Sequence, residues 1–177
     1  MTAVTRARPD EIPTLETERL ILRAPALEDL DALALFGAGG RTEGVGGPFD
    51  RAEAWRRLCG MIGHWSLRGF GRWAIDEKGG PSGVGFVGPY YPEGWPEPEI
   101  AWTVFSGAEG RGIAFEAATA ARSYAYTTLG WHTAISLVVE GNTRSQTLAR
   151  RLGCAPERLF THETYGEMTV WRHPGPT

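Results

Sequence analysis

Apolar residues recur along this chain with two different periods, and the switches between them outline a mixed succession of strands and helices. Residues 15–24 alternate, with Leu20, Leu22 and Ala24 on one face, and predict a strand that Pro25 stops. Residues 27–36 move to helical spacing through Leu27, Leu30 and Leu33 or Ala34, with acids in the first turn. The glycine-rich stretch 37–47 has no period and predicts a mobile loop able to cover a cleft. Asp50 is placed to cap a helix over 51–67 that carries Trp55, Leu58, Ile62 and Trp65 on one side. Residues 71–76 and 84–88 read as a hairpin pair, followed by a proline- and aromatic-rich connection at 89–98.

The second half continues with a strand at 99–104 and a helix that reaches Leu129, with Ile113, Ala117, Ala120, Ala121 and Tyr124 facing inward. Residues 134–139 predict a buried strand. A short helix at 143–152 follows, with Leu148 and Leu152 on one face and Gly153 as its stop. Residues 155–172 read as one or two closing strands. The order is that of an α/β (α+β) chain with a largely antiparallel first half. Residues 1–14 are polar and proline-containing and predict a flexible arm ahead of a single domain at 15–177.

Composition narrows the function classes. The 177 residues are 42% hydrophobic and 22% charged, as expected of an ordinary globular chain. A net charge of -3 argues against a general nucleic-acid binder. Cys59 and Cys154 are too few and too far apart for a disulfide framework or a paired metal site. His64, His132, His162 and His173 lack metal-ligand spacing, so no metal is implied. With no apolar run of membrane length and a start unlike a secretory signal, the expected location is cytoplasmic, with no membrane partner.

The strongest chemical signal is Gly107-Ala-Glu109-Gly110-Arg111-Gly112-Ile113-Ala114, set between a predicted strand and a predicted helix. Such a turn exposes backbone N–H groups at the positive end of the helix, a site for phosphate or pyrophosphate. A P-loop would need Gly-Lys-Ser or Gly-Lys-Thr at its end. A dinucleotide fold would need G-x-G-x-x-G near its first strand and an acid about 20 residues on. Neither is present. The loop alone is equally compatible with a ligand-free β–α turn.

Four segments, taken in order, resemble the GNAT superfamily of acetyl-CoA-dependent N-acyltransferases, and within it the RimJ/RimL-type branch. They are Leu15-Glu-Thr-Glu-Arg-Leu-Ile-Leu-Arg23, Glu99-Ile-Ala-Trp102, the loop from Gly110 to Ala117, and Asn142-Thr-Arg-Ser145 with Leu152-Gly153. The resemblance covers about residues 15–173. It implies a mixed, mostly antiparallel central sheet with helices on both faces. It implies acetyl-CoA as acyl donor, with the backbone of Trp102, Thr103 and Val104 pairing with the pantetheine arm. Glu109, Gly110, Arg111, Gly112, Ile113 and Ala114 would hold the pyrophosphate, with Arg111 assisting by charge. Asn142 would bind the pantetheine near the thiol, and Ser145 would face the sulfur. Asn142 also suits a helix N-cap.

Two positions depart from the family pattern. Gly107 stands where an Arg or Gln is frequent, and Ala149 where many relatives carry a Tyr as general acid. In the RimJ/RimL-type branch a Ser at the position of Ser145 takes that role. Glu99 is the first candidate for the general base and Glu97 the second. Glu116 reads as structural, binding the neighbouring loop. Tyr90, Trp95 and Glu97 are candidate substrate contacts, with Tyr91 and Tyr165 nearby in the same reading. The expected activity is acetyl transfer to a primary amine of a small molecule or a protein N-terminus. The alternatives are a non-catalytic acyl-CoA sensor on the same fold and an unrelated nucleotide-binding α/β protein. A homodimer is common among similar proteins.

Overall fold

The structure is a computed structural model that describes residues 11–176. Its strands and helices, in order, are β1 (Leu15–Glu16), β2 (Leu20–Arg23), α1 (Leu30–Gly37), α2 (Arg51–Arg68), β3 (Trp73–Glu77), β4 (Gly85–Tyr90), β5 (Glu99–Val104), α3 (Ile113–Thr127), β6 (Ile135–Val139), α4 (Thr143–Arg151), β7 (Ala155–His162) and β8 (Gly166–Arg172). The strands form one eight-stranded sheet in the order β1-β2-β3-β4-β5-β6-β8-β7. Every pairing is antiparallel except β5 with β6.

Helices cover both faces. On one, Leu58 and Met61 of α2 and Leu33 of α1 pack against Ala74 and Phe86. On the other, Ile113, Ala117 and Ala121 of α3 pack against Leu22, Trp73, Val87 and Ile100. Alternation along β3, β4 and β5 divides these side chains between the two cores.

Four expectations need correction. The strand at 15–24 is two strands folded back on each other, Leu15 opposite Leu22 and Glu16 opposite Ile21. Thr17 makes the turn, its N–H donating to the Leu20 carbonyl and its Oγ1 accepting from the Leu20 N–H. Glu116 holds that turn from α3, accepting from Thr17 Oγ1 at 2.6 Å and the Arg19 N–H at 2.8 Å. The buried stripe of α2 is Ala54, Leu58, Met61 and Trp65, which leaves Trp55 51% exposed rather than inside. Leu27 lies in a single 3-10 turn before α1 and is exposed, while Asp29 of that turn is buried against Arg23. Finally, residues 1–10 of the expected arm lie outside the described residues, but the core begins before Leu15. Ile12 is buried, and the Pro13 carbonyl accepts from Trp73 Nε1 at 2.7 Å. The closing segment is two strands, β7 and β8, paired as a hairpin.

Candidate active site

The site forms where the sheet comes apart. β5 and β6 share one register pair, Glu99 with Ile135, and no strand pairing continues beyond it. Phe105 N–H donates to the Val84 carbonyl on the β4 side, and the Ile100 carbonyl is taken on the β6 side. By alternation, Trp102 and Val104 point their backbone groups into the open wedge between β5 and β6. An unpaired strand edge of this kind accepts an extended chain as a further strand.

Side chains hold the apex of the wedge. Ser136 Oγ of β6 donates to the Ile100 carbonyl at 2.6 Å, and the Leu137 N–H donates to Glu99 Oε2 at 2.9 Å. The Glu99 carboxylate thus replaces a ladder acceptor that β5 no longer supplies. Its Oε1 accepts from Trp95 Nε1 at 2.8 Å. Burial pushes the Glu99 pKa up to about 7, against the opposing hydrogen bonds from Leu137 and Trp95 and the nearby Arg72 charge. Behind Ser136, His173 Nε2 lies 2.9 Å from Ser136 Oγ, and burial pushes the imidazole down to about 3. The ring is therefore neutral, with Nε2–H donating to Ser136.

The glycine loop lies at the open end. After β5 a 3-10 turn (Ser106–Ala108) leads to Gly110 and Gly112, whose φ values of +74° and +79° belong to the left-handed region that glycine favours. Gly112 is the N-cap of α3 and makes no side-chain bond there, so the first-turn N–H groups of α3 are uncapped by a side chain. Arg111 is engaged by its neighbours, its Nη2 donating to the Gly107 carbonyl of the loop at 3.3 Å. It holds Glu77 with both terminal nitrogens, at 2.9 and 2.5 Å. Arg41 and Arg144 also converge on the loop, both on Glu109, the Arg144 contact at 2.7 Å. Sequence reading missed this pair because both arginines sit in segments distant from the loop. Grooves of about 530 and 610 Å³ flank the loop, the first beside Phe36, Arg41 and Phe105, the second beside Arg19, Phe115 and Arg151.

Across the wedge, Asn142 caps α4, its Oδ1 accepting from the Ser145 N–H at 3.2 Å. Ser145 Oγ accepts from Trp102 Nε1 at 3.2 Å, which leaves its own proton free to donate. The 37–47 loop closes over this end through a 3-10 turn (Glu43–Val45). A Cβ on Gly44 would stand 2.5 Å from Asn142 Nδ2, and one on Gly46 2.8 Å from the Tyr165 ring. Trp95 packs edge-on to Tyr90, His162 and Tyr165, with centroids 5.8, 5.0 and 5.6 Å away. Glu97 stands apart from these groups. It is bound by Arg172 at 2.6 Å and Arg158 at 2.7 Å, and the Arg172 guanidinium holds its carboxyl below the usual range. Ala149, at the position where relatives carry a Tyr, is fully buried in the core.

Glu116 is committed to the β1–β2 turn. Burial raises its pKa, but the bonds from Thr17 and Arg19 outweigh this and hold it low. His64 is structural: its Nδ1 donates to the Phe70 carbonyl at 2.7 Å and its Nε2 accepts from the Tyr91 N–H at 2.9 Å. Among the described residues no cluster of metal-ligating side chains occurs, and no helix is long and apolar enough to cross a membrane.

Residues 19–155 match the family described as the acetyltransferase (GNAT) domain. An acetyltransferase of Agrobacterium tumefaciens is 37% identical over 92% of this chain and 95% of its own, with a TM-score of 0.84. A ribosomal-protein-serine acetyltransferase of Vibrio cholerae shares the fold at 19% identity, over 96% of this chain and 99% of its own, with a TM-score of 0.77. So does RimL, the ribosomal L7/L12 α-N-protein acetyltransferase in complex with coenzyme A. It is 16% identical over 91% of this chain and 97% of its own, with a TM-score of 0.74.

Proposed function

Because the chain belongs to the GNAT acetyltransferase family, we propose that it transfers an acetyl group from acetyl-CoA to a primary amine by direct attack on the thioester. The observation that carries this reading is the wedge itself. An unpaired β5 edge runs from a glycine cradle at one end to a buried carboxylate with a pKa near 7 at the other. The N–H groups of residues 109–114 cradle the pyrophosphate. Arg41 and Arg144 can turn from Glu109 to its charges. Arg111, held by Glu77, contributes less. The backbone of Trp102 and Val104 pairs with the pantetheine arm, and Asn142 Nδ2 reaches it from the α4 side.

Acetyl-CoA supplies a thioester carbonyl carbon for the amine to attack. Glu99, its carboxyl about half ionised at neutral pH, takes the proton from the amine, directly or through one water. A backbone N–H near Val104 polarises the thioester oxygen. As the C–S bond breaks, Ser145 Oγ donates its proton to the departing thiolate. Tyr90 and Trp95 border the acceptor. Glu97, neutralised by two arginines, is a strut for β8 rather than a base. The four motif segments support a RimJ/RimL-type reading, with the chain acting in the cytoplasm.

Thiol release from acetyl-CoA over a panel of primary amines tests this reading. Turnover above background that depends on the amine supports it. Binding of coenzyme A with no amine-dependent release would leave an acyl-CoA sensor instead.

A further inference from the structure

Arg72 directly precedes β3, and its Cα lies beside Gly88 of β4, where a Cβ would approach it to 2.8 Å. Strand alternation puts its side chain on the same face as Phe86, Tyr90, Glu99 and Thr103. Nη2 donates to Thr103 Oγ1 at 2.8 Å and to the Phe86 carbonyl at 3.2 Å. The guanidinium carbon lies 6.0 Å from the ring centroids of both Phe86 and Tyr90. Nε is buried and has no partner, whereas Nη1, with no hydrogen bond to a described residue, is not buried.

Among the described residues no carboxylate lies within ion-pair distance of this cation. Of the other half-buried arginines, Arg23, Arg57, Arg68 and Arg172 are paired with carboxylates, and Arg122 is held by the Leu152 carbonyl and His173 Nδ1. Among the described residues, Arg72 Nε and Trp171 Nε1 are the buried side-chain atoms without a hydrogen-bond partner. Burial accordingly lowers the Arg72 pKa, opposed by its electrostatic interaction with Tyr90 and Glu99. A guanidinium whose Nε–H is buried without a partner is costly. Such a group is expected where a ligand completes it.

The location says which ligand. Tyr90 has Arg72 on one side, Trp95 on the other and Glu99 directly opposite on β5. The unpaired cation and the candidate base therefore flank the same ring, within the reach of one small molecule. A carboxylate can accept a charge-assisted hydrogen bond from Nε or from Nη1, which lie on opposite edges of the guanidinium. It also carries a single charge. A phosphate dianion would need a second free cation, and Arg57, the cation that acts on Arg72 electrostatically, is already engaged by Glu53, the Val45 and Gly46 carbonyls and the Phe49 ring.

We propose that Arg72 anchors a carboxylate of the acceptor, so that the acetylated amine belongs to an amino-acid-like molecule with its carboxylate a few bonds from the nitrogen. This rests on the acetyltransferase reading above and narrows its acceptor. Thr103 and Phe86 aim the guanidinium, Tyr90 separates it from Glu99, and the rings around Trp95 border the side chain.

The test uses the proteinogenic amino acids, each beside its α-carboxamide, with phosphoethanolamine and an uncharged tetrapeptide amide as further acceptors. The expected result is kcat/KM at least ~10-fold higher for the best amino acid than for its carboxamide. In Arg72→Gln that ratio falls to about two-fold, and Arg72→Lys, with charge but no planar fork, lies between. Equal turnover of acid and carboxamide overturns the proposal, as does preference for phosphoethanolamine or for the tetrapeptide. Should Arg72→Gln not fold, as judged by its thermal melt, the wild-type ratio and Arg72→Lys decide. Should no amine be acetylated at all, the enzymatic reading fails separately. Calorimetric titration of the coenzyme A-saturated protein with the same acid and amide pairs then decides. Carboxylate-dependent binding weakened in Arg72→Lys supports the anchor, and its absence from the wild type overturns it.

Discussion

Replacing Glu99 by Gln should change the pH dependence of stability by an amount set by its burial. The carboxyl ionises at 4.5 as an ordinary glutamate and at about 7 in the fold. Between those values the folded chain keeps a proton that the unfolded chain has released. Stability from this group is therefore full below pH 4.5, falls as pH rises to about 7, and is flat above. The whole change is roughly 3 kcal/mol. Glutamine stays neutral throughout. Its amide can satisfy Trp95 Nε1 but meets the Leu137 N–H with its own N–H groups, a pH-independent cost of about 1–3 kcal/mol. Urea melts of both proteins across this range isolate the effect, because every other titrating group cancels in the difference. The wild type should be the more stable near pH 4.5, and the gap should close or reverse by about pH 8. A gap constant to within about 1 kcal/mol refutes the raised pKa and, with it, the argument for Glu99 as a base poised at neutral pH. In the kinetic counterpart, kcat/KM carries an acidic limb near 7 that Glu99→Gln abolishes, with activity down about 10²–10⁴-fold.

Asn142→Asp keeps the oxygen that caps α4 but loses the Nδ2 donor. Thermal stability should hold while the KM for acetyl-CoA rises several-fold, whereas Asn142→Ala should also cost about 1 kcal/mol of stability. Arg144→Ala and Arg41→Ala should each weaken coenzyme A binding and flatten its salt dependence. Calorimetry at low and high salt reads this, and unchanged affinity in both variants would remove them from the anion site. Ser136→Ala removes a buried 2.6 Å bond to the Ile100 carbonyl and leaves His173 Nε2–H unpaired. Urea midpoints should report a loss of about 1–3 kcal/mol, and a loss below about 0.5 kcal/mol would show that the apex does not depend on this hydroxyl.

What could be read from the chain was what its local chemistry decides. Asp50 caps α2 by accepting the Glu53 N–H, Asn142 caps α4, and the glycine loop ends β5 and opens α3. These depend on neighbours a few residues away. The turn at Thr17 was invisible because it contains no glycine or proline, and the carboxylate that fixes it is 99 residues distant. Trp55 was misplaced because Ala54 and Trp55 both extend a helical apolar stripe, and only the shape of the facing sheet selects the smaller one. The partners of Glu97, Glu109 and Arg111 were likewise out of reach, since an ion pair leaves no periodic trace. Arg72 is the limiting case. Its significance is a missing partner, which appears only when every neighbour has been placed.

The wedge raises a physical question, because parting two strands forfeits hydrogen bonds that a buried backbone cannot leave unmade. Near the apex the protein answers with side chains. Ser136 Oγ stands in as donor to the Ile100 carbonyl and Glu99 as acceptor for the Leu137 N–H, so the backbone of each strand is satisfied by a side chain of the other. Farther out, the edge at Trp102 and Val104 has no such substitute, and there an extended ligand gains the most. The same device explains the position of Glu99. A carboxylate needed to finish the ladder must lie at the splay, buried, with its pKa raised by the burial. The separation that admits the acyl donor therefore also tunes the group best placed to deprotonate the acceptor, and a substitution that zips β5 to β6 should remove both functions together.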